Sequence, residues 1–254
     1  MMNMLIFMHY FKRVFTYPLY MAIFLGVPLG FIAVNGSIGS AELVNGYNIS
    51  ASVTAVIMVL SFQFFGTGMI FFFLFADLKN KMRFRLNAAP CRVNRFYLSA
   101  IGANWLYSVV LGIVVIIVSS LLFNVYWGDP LVFAIVFLIT SLMGSFISIL
   151  IFLYAKKNST ADTIHYVICF GMMILTNVPL NIRLESRLLT DILIYINPLS
   201  IGMRAVLASG FIGDMMRFVN NSGMDRAVAD ITILACITLV LAVIAGISGR
   251  RRTF

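Results

Sequence analysis

Charge is what this sequence has least of. Only 11% of its 254 residues are Asp, Glu, Lys or Arg, and 61% are hydrophobic, against roughly 25% and 45–50% in a soluble domain. Too little polar surface remains to wrap a water-soluble globule, so lipid is the expected solvent for most of the chain. Histidine is scarce as well: two residues, which leaves no His/Cys metal site of ordinary spacing. The three cysteines, Cys91, Cys169 and Cys236, stand far apart in or beside apolar runs and form no CxxC. They read as small packing residues. The acids are scattered singly, with no HExxH pair, no Gly-x-Ser-x-Gly turn and no GxxxxGK[ST] phosphate loop. Catalysis within this polypeptide is therefore not expected, and neither is a cofactor of its own.

The charge that is present has a pattern. Of the 18 Lys and Arg, 13 fall in four segments, 12–13, 79–95, 156–157 and 250–252, beside which lie only two acids, Asp77 and Asp162. The remaining connections hold five Arg and seven acids. Basic loops stay on the cytoplasmic side, so the alternation reads as membrane topology with both termini cytoplasmic. The net charge of +9 does not suggest nucleic-acid binding, because no polar surface large enough to carry it is evident.

Apolar periodicity divides the chain into one membrane domain of all-α class. Met4, Phe7, Met8, Phe11, Val14 and Phe15 recur at three- and four-residue spacing, with His9, Lys12, Arg13 and Thr16 on the opposite stripe. The pattern predicts an amphipathic helix over 3–17 lying in the cytoplasmic interface; a simple prolongation of the first span is the alternative. Six spans are expected, at about 19–34, 52–75, 97–123, 131–154, 163–180 and 228–248; against the ~20 residues that cross the hydrocarbon, the first is slightly short and the second long enough to project into the cytoplasm. The basic pair before the first span also resembles a signal peptide, but cleavage would break the charge alternation. Trp127-Gly128-Asp129-Pro130 marks a tight external turn with its aromatic at the interface. The stretch 181–227 is too charged to span and too apolar for a simple loop. Two short helices dipping into the membrane from outside, broken at Asn197-Pro198, would fit it; backbone at that depth must be buried in protein or face water.

No span holds a clearly central Asp, Glu, Lys, Arg or His, the groups that carry coupling ions in secondary transporters, and no duplication relates the two halves of the chain. Energy for any transport is expected to come from outside the chain.

The arrangement resembles the ABC-2 type exporter permeases: an interfacial N-terminal helix, six spans, a basic loop between spans 2 and 3, and an amphipathic external excursion before span 6. The residues most like that family are Ile196-Asn197-Pro198-Leu199-Ser200, then Met203-Arg204-Ala205 and Gly210. An ordinary turn at Asn197-Pro198 is the alternative. The resemblance implies a multi-pass protein of the cell membrane, of bacterial plasma-membrane kind, working with a second membrane subunit, identical or homologous. It further implies two copies of a separate cytoplasmic ABC ATPase, which would hold ATP and Mg. The coupling region would be 77–92, with Lys81, Met82, Arg83, Phe84, Arg85 and Leu86 alternating charge and apolar bulk as an interface with an apolar centre and charged rim does. Positive-inside topology alone could also produce those bases. Spans 2 and 5 would line the route, with Phe62, Phe65, Met69, Phe72 and Phe73 facing Phe170, Met173 and Asn177, an adaptable wall for hydrophobic or amphipathic cargo such as a membrane-active peptide. A non-transporting scaffold or sensor, and an ion-coupled transporter, are the alternative functions.

Overall fold

The computed structural model describes residues 2–38, 43–44, 47–78, 93–176, 195–210 and 223–251. Among them are nine helices: α1 (Met2–Val14), α2 (Pro18–Ile38), α3 (Ile49–Thr67), α4 (Ile70–Leu78), α5 (Val93–Phe123), α6 (Pro130–Tyr154), α7 (Asn158–Leu175), α8 (Pro198–Gly210) and α9 (Met224–Arg251). A two-stranded antiparallel ribbon, Leu43 opposite Asn48 and Val44 opposite Tyr47, joins α2 to α3. Among the described residues, five helices are long and apolar enough to cross a bilayer, through Pro18–Ser37, Ser50–Thr67, Tyr97–Phe123, Pro130–Tyr154 and Met224–Gly249. The chain is a multi-pass helical membrane protein. Leu19, Ile23 and Val34 on α2, and Leu239, Val240 and Ile247 on α9, stand exposed in a way that water would penalise and acyl chains would not.

The uncharged α3 runs through the centre, packed against α2, α5, α6, α7 and α8. Its buried residues, from Ala51 through Leu60 to Phe64, anchor one of the two core clusters. The other cluster lies toward Lys156 and collects Phe62, Met69, Phe71, Phe73 and Phe75 with Tyr97, Tyr107 and Phe152.

Four features depart from the sequence expectation. The span expected over 52–75 is not one helix: it breaks at Gly68-Met69 into α3 and α4. There the amides of Gly68, Met69 and Phe71 bond the carbonyls three residues back, Phe65, Gly66 and Gly68, at 3.1, 3.4 and 3.1 Å, a tightened turn. The close approach of α7 requires the glycine, since a Cβ on Gly68 would lie 2.7 Å from the His165 ring. Next, α2 continues to Ile38, and α7 begins at Asn158, within what the sequence suggested was a loop. Finally, the fifth expected span, 163–180, lies within the described residues only to Thr176, and α7 falls outside the helices that qualify as spans.

The end of the bundle carrying Trp127 is tied by side chains. Asn48 caps α3 by accepting from the Ala51 amide at 3.0 Å, and its own amide donates to the Gly36 carbonyl at 2.9 Å, joining α2 to α3. Ser52 accepts from the Tyr126 amide at 2.8 Å, which adds the α5–α6 turn. That turn needs a left-handed glycine, Gly128 at φ 74°. The C-terminus of α8 rests on it so closely that a Cβ on Gly210 would lie 2.5 Å from the Gly128 Cα and 2.7 Å from the Asp129 nitrogen. Because both obstacles are backbone, Gly210→Ala is expected to destabilise the protein by about 1–3 kcal/mol through overpacking, read as a lowered melting temperature in detergent.

Candidate functional site

The α3–α7 seam holds several of the residues expected to line a route. Phe62 and Phe65 lie 5.2 Å apart between ring centroids, and Phe65 meets Phe170 edge-on at 4.8 Å. Phe24 on α2 and Tyr166 on α7 extend this aromatic row. Phe170 is half exposed, Phe65 and Met173 partly buried, and Phe62 nearly enclosed. Met69 and Phe73 share a core cluster with Phe62 but are enclosed, and Phe73 meets the rings of Tyr10 and Tyr17 instead of α7. The Phe72 side chain and Asn177 lie outside the described residues, as do Lys81, Met82, Arg83, Phe84, Arg85 and Leu86 of the expected coupling region.

A polar seam runs through the middle of the bundle. Thr67 donates to the Phe64 carbonyl at 2.6 Å and accepts from Ser148 on α6 at 3.0 Å. The Asn104 amide on α5 caps the Thr67 carbonyl at 3.2 Å, where the helix break frees it, and Ser108 pairs with Ser141 at 3.0 Å. Among the described residues, Gln63, 0% exposed, has neither amide atom hydrogen-bonded, and Asn104 Oδ1 and His165 Nδ1 are likewise unpartnered. His165 is enclosed at 1% exposure, edge-on to Phe71 at 5.3 Å, with its Nε2 3.6 Å from Cys169 Sγ. Among the described residues no group of three metal-ligating side chains forms. Reading the sequence for central charges missed this seam. Its signal was Gln63 and Asn104, two amides inside otherwise apolar runs.

Toward Lys156, α1 is latched by one carboxylate. Asp77 on α4 accepts from the Tyr10 hydroxyl at 2.5 Å and from Arg13 Nη1 at 2.9 and 3.0 Å. The Arg13 guanidinium also lies 4.8 Å over the Phe73 ring. Burial first, then the hydrogen bond to Asp77, holds the Tyr10 phenol far above its usual range, so it remains a donor. The apolar stripe of α1 meets α5, with Phe15 edge-on to Tyr107 at 5.2 Å.

At the opposite side α8 enters the bundle. Asn197 is its N-cap, accepting from the Leu199 amide at 3.1 Å while donating to the Met172 carbonyl of α7 at 2.8 Å. Pro198 follows at the first helical position, where its missing N–H costs nothing. The Asn-Pro pair therefore starts a helix inside the protein. Leu199 is buried, and Gly202 sits against Val136 and Thr140 of α6. Arg204 then makes a two-pronged ion pair with Asp230 of α9, Nε to Oδ2 at 2.8 Å and Nη2 to Oδ1 at 2.5 Å, with both side chains less than 8% exposed. The Tyr195 ring covers the guanidinium at 4.6 Å. Such a pair is expensive to desolvate and costly to break once formed.

Neither protein-family models nor curated protein sequences match this chain.

Two outcomes are expected in thermal melts. Asp230→Asn or Arg204→Met alone should cost about 3–5 kcal/mol by leaving a buried charge unpaired, while the double change, Arg204→Met with Asp230→Leu, should recover most of that loss. Asp77→Asn should cost less, about 1–2 kcal/mol, because Arg13 is partly solvated, and should make α1 the first segment cut by protease.

Proposed function

We propose that this chain is the membrane-spanning subunit of an ABC-2 type exporter, moving a hydrophobic or amphipathic cargo outward with ATP hydrolysed on a separate subunit. The observation that carries the reading is α8: a 13-residue helix placed just ahead of the last span, starting inside the bundle at Asn197-Pro198 and locked to α9 by Arg204 and Asp230. A helix that starts at depth needs its backbone ends satisfied by protein, which Asn197 does. The latched, amphipathic α1 supports the same reading, as an interfacial helix on the face where the bases lie. α5, at 31 residues and about 46 Å, outreaches a hydrocarbon layer of about 30 Å, and α1 lies along its first half, with Phe7 beside Gly102 and the following Phe15 against Tyr107.

In this reading α7 completes a sixth span, both termini face the cytoplasm, and the protein sits in a bacterial plasma membrane. Two membrane subunits, identical or homologous, face each other across α3 and α7, with Phe65, Tyr166 and Phe170 on the facing surface and cargo passing between them. Two cytoplasmic ABC ATPases bind ATP and Mg and dock on the coupling region 77–92. ATP binding closes the ATPases and moves that region, and α4 transmits the movement to α3 through the break at Gly68. The cargo that fits an aromatic, methionine-bearing face is an amphipathic or membrane-active peptide or a lipid-like molecule, exported or removed as an immunity function.

A second reading, an ion-coupled transporter, draws on one observation: the open amide of Gln63 and the open Nδ1 of His165, both enclosed beside the helix break, groups that could carry a proton or ion.

Purification from the native host in mild detergent or nanodiscs, with mass measurement of the intact complex, separates these. Two membrane chains with two ATPases are expected; transport driven by an ion gradient in a complex without a nucleotide-binding subunit would overturn the exporter reading. Arg83→Glu with Arg85→Glu is expected to lower ATPase association at least tenfold without changing the thermal melt of the membrane chain, a loss equivalent to about 1.4 kcal/mol.

A further inference from the structure

A cavity of about 680 Å³ opens where α6 turns into α7, lined by Leu150, Ile151, Tyr154, Lys156, Lys157, Thr160 and Ile164 with Ala155. Its walls are of two kinds. Leu150, Ile151 and Ile164 form an apolar trough on the membrane-spanning side, and Lys156, Lys157 and the Thr160 hydroxyl stand at its rim, all three exposed. We propose that this cavity binds one anionic phospholipid from the surrounding leaflet, its phosphate held by the two lysines and a segment of acyl chain laid in the trough.

Position supports a lipid occupant. α6 has 25 residues and a length of about 37 Å, enough to carry Lys156 and Lys157 just beyond a hydrocarbon layer of about 30 Å. The rim therefore lies at headgroup level and the trough at acyl level. The charge is right as well. Among the described residues no acid lines the cavity. Asp162, close by on α7, accepts from the Asn158 amide at 3.0 Å. α7 has no acid in its first turn and no side-chain cap at Lys157, so its N-terminal dipole adds to the lysines rather than being cancelled. The last turns of α9 reach the same place, with the Ser248 hydroxyl 3.4 Å from that of Tyr154, two residues before the run 250–252 of three arginines.

Other occupants match only part of this lining. A free phosphate would leave the trough unused, and a zwitterionic lipid would gain little from paired lysines. A peptide strand would find few partners for its backbone. The size is that of an ordinary small-molecule site. The inference does not rest on transport and stands or falls separately from it.

The test uses the full chain, delipidated in detergent and titrated with phosphatidylglycerol, phosphatidylcholine or inorganic phosphate. Native mass spectrometry counts the bound lipid and a thermal melt reads its stabilising effect. Phosphatidylglycerol is expected to bind at one site per chain and raise the melting temperature more than phosphatidylcholine does, with phosphate alone giving no rise. Lys156→Gln and Lys157→Gln should each weaken it about fivefold, and Ile164→Ser should weaken it without any change of charge. Lys12→Gln, an exposed base on α1, is the control and should leave it unaltered. The inference is overturned if the two lipids stabilise equally, if phosphate alone reproduces the effect, or if Lys12→Gln weakens binding as much as the cavity lysines do. The variants alter exposed side chains, so unchanged melting in phosphatidylcholine will show that they fold.

Discussion

Hydrocarbon offers no hydrogen bonds, and most of this structure follows from that. Each polar group carried into the membrane must find its partner within the chain. Thr67, Asn104, Ser108, Ser141 and Ser148 do so by pairing with one another and with carbonyls freed along α3. The same demand explains why the buried start of α8 carries an asparagine: one side chain caps its own helix and satisfies a carbonyl of α7. It explains too why Arg204 and Asp230 occur together, two charges that could not be buried singly. Where the demand is unmet, as at both atoms of the Gln63 amide, at Asn104 Oδ1 and at His165 Nδ1, the bundle retains polar capacity that packing alone does not use. A buried amide with both ends open is a place for water or for a moving group.

The two ends of the bundle are built differently. Around Trp127 short polar side chains and one backbone approach hold the elements, through Asn48, Ser52 and the contact of Gly128 with Gly210, and the ion pair on that side, Arg204 with Asp230, is buried. Around Lys156 the ion pair is partly exposed, with Asp77 gathering Tyr10 and Arg13. Close backbone contacts and buried pairs tolerate little displacement, whereas a partly exposed ionic contact can be exchanged for others or for water. The positively charged end is thus also the end whose contacts can be remade.

Much of the fold was legible because lipid simplifies the code. Long apolar runs delimit α2, α5, α6 and α9 with few alternatives, and the Asp129-Pro130 step announced the start of α6, where Asp129 indeed caps the helix. The interruption of α3 was not legible. Phe62 to Phe75 reads as one largely apolar run despite Gln63 and Thr67, and glycines are common enough in membrane helices that Gly66 and Gly68 gave no distinct signal. What requires a glycine at the break is the His165 ring against Gly68, a contact between positions 97 apart in sequence. The same limit applies to the expected route. Spacing along a helix assigns Phe62, Phe65, Met69 and Phe73 to related faces, but it cannot show that α1 would cover one of them. Phe73 meets Tyr10 and Tyr17, so its ring is spent on holding α1. Phe65 and Phe170, by contrast, do meet.

The mismatch between the two ends gives the molecule the mechanics of a clamped beam. With α2, α3, the α5–α6 turn and α8 fastened together at the Trp127 end, tilting there is resisted by backbone against backbone. Farther along, the central element is interrupted at Gly68, and α4 beyond it is anchored separately, with Ile70, Phe71, Phe73, Leu74 and Phe75 enclosed in the second core cluster and Asp77 holding Tyr10 and Arg13. The middle of the molecule is thus two struts set end to end, each braced by its own neighbours.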